Sequence, residues 1–281
     1  MKIIVTRPRL EAEAWVKQLR DLHFDAFALP LIHIGAAADN HAVIEAAASL
    51  HQYKAVMFVS SNAVRYFYTS NTPLAGEFIA YGAIKKIVKL KNTKTTVMPR
   101  IWATGPGTRD TLLAQSVPFD LIDSPSAEAA QFDSEALWSR VHHQVKPGDK
   151  VLIVRGNTLN TTDVVGLAMN GRSWLADQLT AAGVQVDVVV SYERSAPVLD
   201  AAELALMAQA ARDQSVWLFS SSEAIANLGK ISKLNWSKAR AIATHPRIAQ
   251  TATDAGFGVV YESRPLLKDI TQVAASIESM P

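Results

Sequence analysis

The chain of 281 residues contains no cysteine, which excludes disulfides, thiolate metal sites and cysteine nucleophiles. No apolar run is long enough to cross a bilayer. The N-terminal apolar segment Ile3–Val5 is soon followed by Arg7 and is far too short for a signal peptide. A net charge of +2 is too small to indicate a nucleic-acid partner. We therefore expect a soluble cytoplasmic protein that binds neither membranes nor nucleic acid.

Common cofactor and nucleophile motifs are also missing. Gly105 and Gly107 begin like a dinucleotide fingerprint, but Asp110 stands where the third glycine belongs. There is no GxxxxGK[ST] phosphate loop, no GxSxG elbow and no histidine spacing typical of a metal site. The residues thus indicate neither a cofactor nor a metal.

Short apolar runs rich in Val and Ile alternate with stretches whose apolar residues follow helical spacing. The apolar runs show little alternation, which is typical of parallel strands covered on both faces. This pattern predicts an α/β fold. The predicted strands are Ile3–Thr6, Ala26–Ile32, Ala55–Ser60, Ile101–Thr104, Phe119–Asp123, Val151–Val154, Val186–Tyr192, Val216–Ser220, Ala241–Thr244 and Val259–Glu262.

Two stretches of the sequence occur twice. The segment 56–63 resembles 216–223, and 101–106 resembles 241–246. Gln18-Leu19 and Gln178-Leu179 show the same spacing of 160 as Ser60 and Ser220. Similar βα units could look alike without common origin, but the shared spacing favours an internal duplication.

The order of the repeats predicts two lobes. The copy that begins the chain is interrupted by the whole second copy and is completed afterwards. We expect residues 1–36 with 196–281 to form lobe 1 and residues 37–195 to form lobe 2. Each would be a five-stranded, doubly wound, flavodoxin-like parallel sheet. Two crossings, near Pro30–Ala38 and Ser191–Pro197, would form a two-stranded linker.

Polar residues cluster where the predicted strands end, which is where ligands bind in open α/β sheets. Free N–H groups of the following helices favour anions, and arginines add bidentate contacts. Taken singly, the hydroxyl and amide residues are explained better by helix capping, and the arginines equally well by exposed surface charge. Taken together, they favour an anionic ligand. The candidates are Thr6, Arg7, Ser60, Ser61, Asn62, Gly105, Pro106, Thr108, Arg155, Gly156, Ser221, Ser222, Pro246 and Arg247.

Tyr192 is the one aromatic residue singled out by its position, at the return crossing between the lobes. Its hydroxyl could donate a proton or a hydrogen bond to a ligand. The alternative is a packed strand residue whose hydroxyl is satisfied internally, and the residues alone favour this alternative.

Six motifs follow one another along the chain. They are Val5-Thr6-Arg7-Pro8, Phe58-Val59-Ser60-Ser61-Asn62-Ala63-Val64, Ala103-Thr104-Gly105-Pro106-Gly107-Thr108, Val154-Arg155-Gly156, Gly171-Arg172 with Leu175, Leu179 and Gly183-Val184, and Val190-Ser191-Tyr192-Glu193-Arg194. In this order they resemble the motifs of the uroporphyrinogen-III synthase family over the whole length.

The resemblance implies a bilobal lyase with its active site in the cleft between the lobes. Such an enzyme closes hydroxymethylbilane, a linear tetrapyrrole with many carboxylates, to uroporphyrinogen III in haem biosynthesis. The reaction loses water and inverts ring D, by way of a spiro intermediate, and it needs no cofactor. By resemblance, Tyr192 is the catalytic residue that assists loss of the hydroxyl. A monomer is expected, with only transient contact with the preceding enzyme of the pathway.

The chain departs from the family pattern at two places. The segment 157–170 is an insertion, and its Thr, Asn and Gly content suggests a lid. His245 replaces the usual glycine of the last βα turn.

Two other functions share the twin α/β lobes. One is a non-catalytic small-molecule binding protein for an anionic ligand, of the periplasmic-receptor or repressor-effector type. It would need a signal peptide or a DNA-binding headpiece, and neither is evident. The other is a nucleotide-sugar transferase, which usually has a longer chain.

Overall fold

The computed structural model describes residues 1–70, 98–126, 132–158 and 172–279. The chain forms two compact units. The first unit comprises Met1–Ile34 and Ser195–Pro281, and the second comprises Gly35–Arg194. The boundaries expected from the sequence were after residues 36 and 195.

Helices and strands alternate through both units, as the apolar pattern predicts. In chain order they are β1 (Lys2–Val5), α1 (Arg9–Asp21), β2 (Asp25–Ala28), β3 (His33–Ala36), α2 (His41–Ala48), β4 (Ala55–Phe58), α3 (Ser61–Ser70), β5 (Arg100–Ala103), α4 (Pro106–Ala114), β6 (Ile122–Asp123), α5 (Ser134–Val141), β7 (Lys150–Thr158), α6 (Arg172–Ala181), β8 (Gln185–Ser195), α7 (Ala201–Ala210), β9 (Val216–Phe219), α8 (Ser222–Ile231), β10 (Arg240–Ala243), α9 (Pro246–Asp254), β11 (Val259–Glu262) and α10 (Leu267–Glu278). None of the helices in the described ranges has the length and hydropathy needed to cross a membrane.

The first unit contains a parallel sheet of five strands in the order β11-β10-β9-β1-β2. Successive residues of a strand point to opposite faces. Ile4 and Trp217 accordingly join one buried cluster, while Ile3 and Leu218 join another. Both faces of this sheet are covered, which explains why its strands are continuously apolar.

The sheet of the second unit has the order β3-β8-β7-β4-β5-β6. It contains six strands, one more than expected for a lobe, because His33–Ala36, which spans the boundary between the units, forms an additional edge strand. The pairs among β8, β7, β4, β5 and β6 are parallel. The ladder between β7 and β8 shifts register between Arg155 and Gly156.

Two predicted strands are shorter than expected. The strand predicted over Ala26–Ile32 ends at Ala28. Leu29 still donates to the Val5 carbonyl, but Leu31 donates to the Thr6 carbonyl, one residue short of the regular step of two, so the ladder ends there. In the predicted strand Phe119–Asp123, the first three residues form a 3₁₀ helix and only Ile122–Asp123 is extended.

The strand orders support the duplication inferred from the repeats. The order β11-β10-β9-β1-β2 corresponds to β6-β5-β4-β7-β8, with β3 as the extra strand. However, β4 and β9 begin 161 positions apart, at Ala55 and Val216, and so do α3 and α8. Ser60 therefore corresponds to Ser221, and the spacing of 160 taken from the repeated words is wrong by one residue at this strand.

Candidate active site

Ser60 lies at the carboxyl end of β4, immediately before α3. Its Oγ accepts a hydrogen bond from the backbone N–H of Ala63 at 3.1 Å, which caps the first turn of the helix. The same Oγ lies 3.1 Å from the hydroxyl of Tyr192. The capping role expected of this serine is thus combined with a contact to the predicted catalytic tyrosine.

Tyr192 is held on three sides. It is 2% exposed, and its ring stacks on Tyr66 with a centroid distance of 5.9 Å and an interplanar angle of 27°. Its strand partner is Gly156, next to the register shift in β7. A Cβ at Gly156 would lie 2.3 Å from the Tyr192 Cζ, so only glycine fits beneath this ring. The ring of Tyr192 is therefore packed within the protein, as in one of the two interpretations of the sequence, and its hydroxyl contacts Ser60.

Two arginines on β7 and β8 lie close enough for their charges to interact. Burial lowers the pKa of Arg155, and the charge of Arg194 lowers it further. Arg194 is only 7% exposed. Two neighbouring guanidinium groups make this part of the second unit favourable for an anion such as a carboxylate.

The turn after β5 approaches the start of α3. The hydroxyl of Thr104 donates to the carbonyl of Val59 at 3.1 Å, which connects the ends of β5 and β4. A Cβ at Gly107 would lie 3.5 Å from the Oγ of Ser61, so these two helix starts are neighbours. Gly105 and Pro106 open α4 as predicted.

The side chains of two other predicted residues of this unit already interact within the protein or are buried in it. Asn62 accepts a hydrogen bond from Arg65 at 3.3 Å. Thr108 is 5% exposed, so its side chain is buried. Their backbone groups, rather than their side chains, are the better candidates for ligand contact.

Arg7 follows β1 in the first unit and has an unusual environment. Its guanidinium carbon lies 4.4 Å from the centroid of the Trp15 ring. Its Nε and Nη2 are buried without a hydrogen-bond partner among the residues that the structure describes. Burial lowers the pKa of Arg7 to about 10, against the opposing effect of Glu11. In contrast, the hydroxyl of the preceding Thr6 donates to the Leu218 carbonyl of the neighbouring strand at 2.7 Å.

The ends of β9 and β10 start helices as the sequence predicts. Ser221 Oγ accepts from the N–H of Glu223 at 3.2 Å, and Ser222 Oγ accepts from the hydroxyl of Thr251 at 3.1 Å. His245 Nδ1 accepts from the N–H of Arg247 at 3.1 Å. The backbone of His245 is extended, with φ −162°, so this turn does not require the glycine that the family usually has.

The structure thus brings the predicted residues together in two groups, one in each unit. In the second unit they are Ser60, Ser61, Asn62, Gly105, Pro106, Thr108, Arg155, Gly156 and Tyr192. In the first unit, Thr6, Arg7, Ser221, Ser222, Pro246 and Arg247 follow the adjacent strands β1, β9 and β10. Most of the segment 157–170, where a lid was hypothesised, lies outside the described residues.

A sequence model of the family described as uroporphyrinogen-III synthase HemD matches residues 13–272. The chain belongs to the uroporphyrinogen-III synthase family. The uroporphyrinogen-III synthase of Salmonella typhimurium is 28% identical over 212 residues, which cover 73% of this chain and 70% of that protein. The resemblance stated from the motifs is thereby confirmed.

Two solved structures of uroporphyrinogen-III synthases share the fold. The enzyme from Helicobacter pylori 26695 matches with a TM-score of 0.57, 15% identity, and coverage of 98% of this chain and 99% of that one. A mutant of the Thermus thermophilus enzyme matches with a TM-score of 0.55, 13% identity and complete coverage of both chains. These likenesses confirm the α/β fold with parallel sheets.

Uroporphyrinogen-III synthases are hydro-lyases of haem biosynthesis, and this chain is an enzyme of that class. The alternative of a non-catalytic binding protein is not favoured. Among the described residues, no group of three His, Cys, Asp or Glu side chains could hold a metal ion.

Sequence reasoning missed two residues of the second unit that touch or flank the family's tyrosine. Tyr66, which stacks on Tyr192, falls on the apolar side of α3, and no pattern distinguishes it from Phe67. Arg194 was quoted as part of the Tyr-Glu-Arg motif but not as a site residue. In the β7–β8 ladder Arg194 pairs with Thr158, three residues beyond Arg155, so strand positions alone do not reveal that its charge affects Arg155.

Proposed function

We propose that the chain carries out the uroporphyrinogen-III synthase reaction with the strand-end residues named above. These residues would bind the carboxylates of hydroxymethylbilane, and the Tyr192 region would assist loss of the terminal hydroxyl as water. The observation that carries this proposal is the fixed contact between Tyr192 and Ser60, at 3.1 Å, beside the helix start of α3.

The carboxylates of the substrate match the chemistry of the proposed binding residues. The starts of α3, α4, α8 and α9 offer backbone N–H groups and the positive ends of helix dipoles. Arg7 and Arg247 follow strands as well, Arg155 lies on β7, and each of them can contact a carboxylate in a bidentate manner. Because the donors are mostly backbone groups, no single side chain is expected to be essential for binding.

Positioning would supply most of the catalysis. The open tetrapyrrole closes spontaneously to the type I isomer, so the protein must hold both ends of the chain in the geometry that leads to ring inversion. Fixing two reacting ends relative to each other is worth several kcal/mol of the barrier, up to about 7–11 in favourable cases. Rigid strand ends and capped helices suit that task.

We also propose, from the resemblance, that the protein has two lobes joined by a two-stranded linker, with the substrate in the cleft between them. It would be a cytoplasmic monomer that works without a cofactor. Contact with the preceding enzyme of the pathway would be transient.

Product analysis tests the proposal. Hydroxymethylbilane is given to the purified chain, and the products are oxidised and separated into type I and type III isomers. The expected result is mainly type III, against type I in a control with heat-inactivated protein. A type I product at the rate of the control would contradict the proposed activity and would support a binding protein.

Substitution of Tyr192 tests its role separately. Tyr192→Phe keeps the ring on Gly156 and Tyr66 but removes the hydroxyl. We expect kcat to fall by at most about 10²–10⁴-fold, the range typical of general acids, with little change in KM. An unchanged kcat would remove Tyr192 from the chemistry, while the type III product would still support the enzyme.

A further inference from the structure

We propose that Ser60 is the group that donates a proton to the departing hydroxyl, and that Tyr192 acts on the substrate through Ser60. This inference rests on the proposed function. It assigns the direct contact with the reacting oxygen to a residue that was predicted only as a binding and capping residue.

Burial determines which way the hydrogen bond between the two hydroxyls runs. Tyr192 is 2% exposed, and Ser60 is its only hydrogen-bond partner among the residues that the structure describes. A buried hydroxyl that donates to nothing is energetically costly. The Tyr192 hydroxyl therefore donates, and the Ser60 Oγ accepts.

The hydrogen of Ser60 is then directed elsewhere. A serine oxygen has two lone pairs and one hydrogen. One lone pair accepts from the N–H of Ala63 at 3.1 Å, and the other accepts from Tyr192 at 3.1 Å. With both lone pairs occupied, Ser60 can only donate to a further group. Ser60 is partly exposed, whereas Tyr192 is buried, so a ligand can reach the serine first.

The corresponding serine of the first unit lacks this arrangement. Ser221 also caps a helix, by accepting from the N–H of Glu223 at 3.2 Å. In the part of the chain that the structure describes, no tyrosine hydroxyl is bonded to Ser221. Capping alone therefore does not require the second hydroxyl, and the pair Ser60–Tyr192 is a special feature of the second unit.

The proposed step balances in atoms and charge. The C–O bond of the hydroxymethyl group breaks, and its electron pair remains on the oxygen. That oxygen takes the Ser60 proton and leaves as water, while Ser60 takes the proton of Tyr192. The phenolate formed on Tyr192 balances the cationic methylene-pyrrole that remains. When the closed macrocycle loses a proton from the ring carbon that formed the new bond, that proton returns to Tyr192 through Ser60.

A double-mutant cycle with Ser60→Ala, Tyr192→Phe and the double variant tests this order. We expect Ser60→Ala to lower kcat at least as much as Tyr192→Phe, by at most about 10²–10⁴-fold, with KM changed less than about threefold. In the double variant, kcat should equal that of Ser60→Ala, since Tyr192 has nothing to act through. If Tyr192→Phe keeps its full effect in the Ser60→Ala background, or if Ser60→Ala leaves kcat unchanged, the inference is wrong.

Proton inventories in mixtures of H₂O and D₂O provide a readout that a structural role would not change. The wild-type kcat should depend on deuterium fraction with the curvature of two transferred protons. Tyr192→Phe should give the straight line of one proton. A straight line for the wild type would contradict the two-hydroxyl relay.

Two further variants separate the hydroxyl from the cap. Ser60→Gly removes the hydroxyl but preserves most capping stability, and its kcat should fall as that of Ser60→Ala does.

Asp200→Ala removes a helix cap of the same kind, because Asp200 accepts from the N–H of Glu203 at 2.8 Å. It should lower the melting temperature as Ser60→Ala does, but leave kcat unchanged. Equal losses of kcat in Asp200→Ala and Ser60→Ala would assign the effect to stability and would overturn the inference. Wild-type formation of the type III isomer, measured in the same assays, shows whether the proposed function itself holds.

Discussion

The ring of Tyr192 occupies the space in which any side chain at Gly156 would have to lie. A Cβ built on Gly156 meets three ring atoms of Tyr192, at 2.3, 2.5 and 2.7 Å. All three contacts are shorter than non-bonded carbon atoms permit. Gly156 therefore determines where the hydroxyl of Tyr192 lies, although Gly156 itself offers no functional group.

Gly156→Ala should lower kcat by about 10- to 100-fold, because displacement of a catalytic group by an ångström can have such an effect. The ring must leave its place between Gly156 and Tyr66, and its hydroxyl then loses the contact with Ser60. Steady-state rates would be measured together with a ¹⁹F spectrum of protein labelled with 3-fluorotyrosine. The Tyr192 resonance, identified by its absence in Tyr192→Phe, should move.

Gly229→Ala is the matched control. Gly229 lies inside α8, and a Cβ there would meet no atom within 4 Å. The substitution should leave kcat unchanged and raise stability by about 0.5–1 kcal/mol, since alanine favours helices. A Gly156→Ala variant with a displaced ring and normal kcat would show that the position of Tyr192 is irrelevant to turnover.

Arg7→Met should stabilise the protein while weakening substrate binding. Burial lowers the pKa of Arg7 to about 10, an unfavourable contribution of at most roughly 3 kcal/mol for the charged form. For a group whose pKa is lowered on folding, the stabilising contribution is present above the unfolded pKa and is lost as the pH falls through about 10. At pH 7 the penalty is therefore present in full. Loss of the contact with Trp15 offsets part of the gain, by about 1–2 kcal/mol.

Thermal unfolding at pH 7 and the KM for hydroxymethylbilane would measure the two effects. We expect a melting temperature a few degrees higher and a KM several-fold higher. Arg9→Met provides the comparison, because Arg9 is exposed and forms an ion pair with Glu203 at 2.7 Å. That variant should lose up to about 1 kcal/mol. If Arg7→Met were less stable than the wild type, the interactions of the buried guanidinium would stabilise the protein by more than its desolvation costs.

Arg7, which follows β1, and Arg155, which lies on β7, show how far the sequence alone could predict the site. The two occupy equivalent places in the repeats, and the apolar runs and repeated words predicted both at strand ends, but β7 continues past Arg155 to Thr158. Their surroundings were not predictable. Arg7 lies against Trp15, whereas Arg155 interacts with Arg194. Those neighbours depend on helix and strand packing between residues that are distant in the chain.

The correspondence of Ser60 with Ser221 shows a second limit. Adjacent serines occur at both strand ends, so the repeated words can be aligned in two ways one residue apart. Side chains alternate between the faces of a strand, and a shift of one residue reverses their directions. Only the paired start points of β4 and β9 select the correct alignment. The fold class, in contrast, follows from the apolar runs whichever alignment is used.

Tyr53 should make stability depend on pH in the alkaline range. Its hydroxyl donates to Asp187 at 2.9 Å. Burial and the neighbouring carboxylate raise the pKa of Tyr53 to about 12. A raised folded pKa means that the stabilising contribution is complete below the unfolded value near 10. It is lost as the pH rises from about 10 to 12.

Urea unfolding of wild type and Tyr53→Phe between pH 8 and pH 12 would measure this contribution. The difference in unfolding free energy between them should be constant up to about pH 10 and should shrink above it. Asp187→Asn removes the carboxylate charge, so the decline should still begin at about pH 10 but should be smaller and end at a lower pH. A difference that stays constant up to pH 12 would show that Tyr53 does not titrate with the predicted shift.

Ser116→Gly should stabilise the protein, because the duplicated helix end in the first unit already has glycine. Ser116 follows α4 with φ 61°, and Gly256 follows α9 with φ 92°. Both ends have the same pair of closing hydrogen bonds, from Ser116 and Val117 to Leu113 and Leu112, and from Gly256 and Phe257 to Thr253 and Ala252. The left-handed conformation costs roughly 1–2 kcal/mol for residues with a Cβ.

The greater flexibility of glycine in the unfolded chain offsets part of that gain. We expect Ser116→Gly to gain about 0.5–1 kcal/mol in urea unfolding and Gly256→Ser to lose at least as much. Ala114→Gly, two residues earlier inside the same helix, should lose about 1 kcal/mol. If Ser116→Gly loses stability as Ala114→Gly does, the backbone of Ser116 is not left-handed in solution, and the correspondence between the two helix ends fails with it.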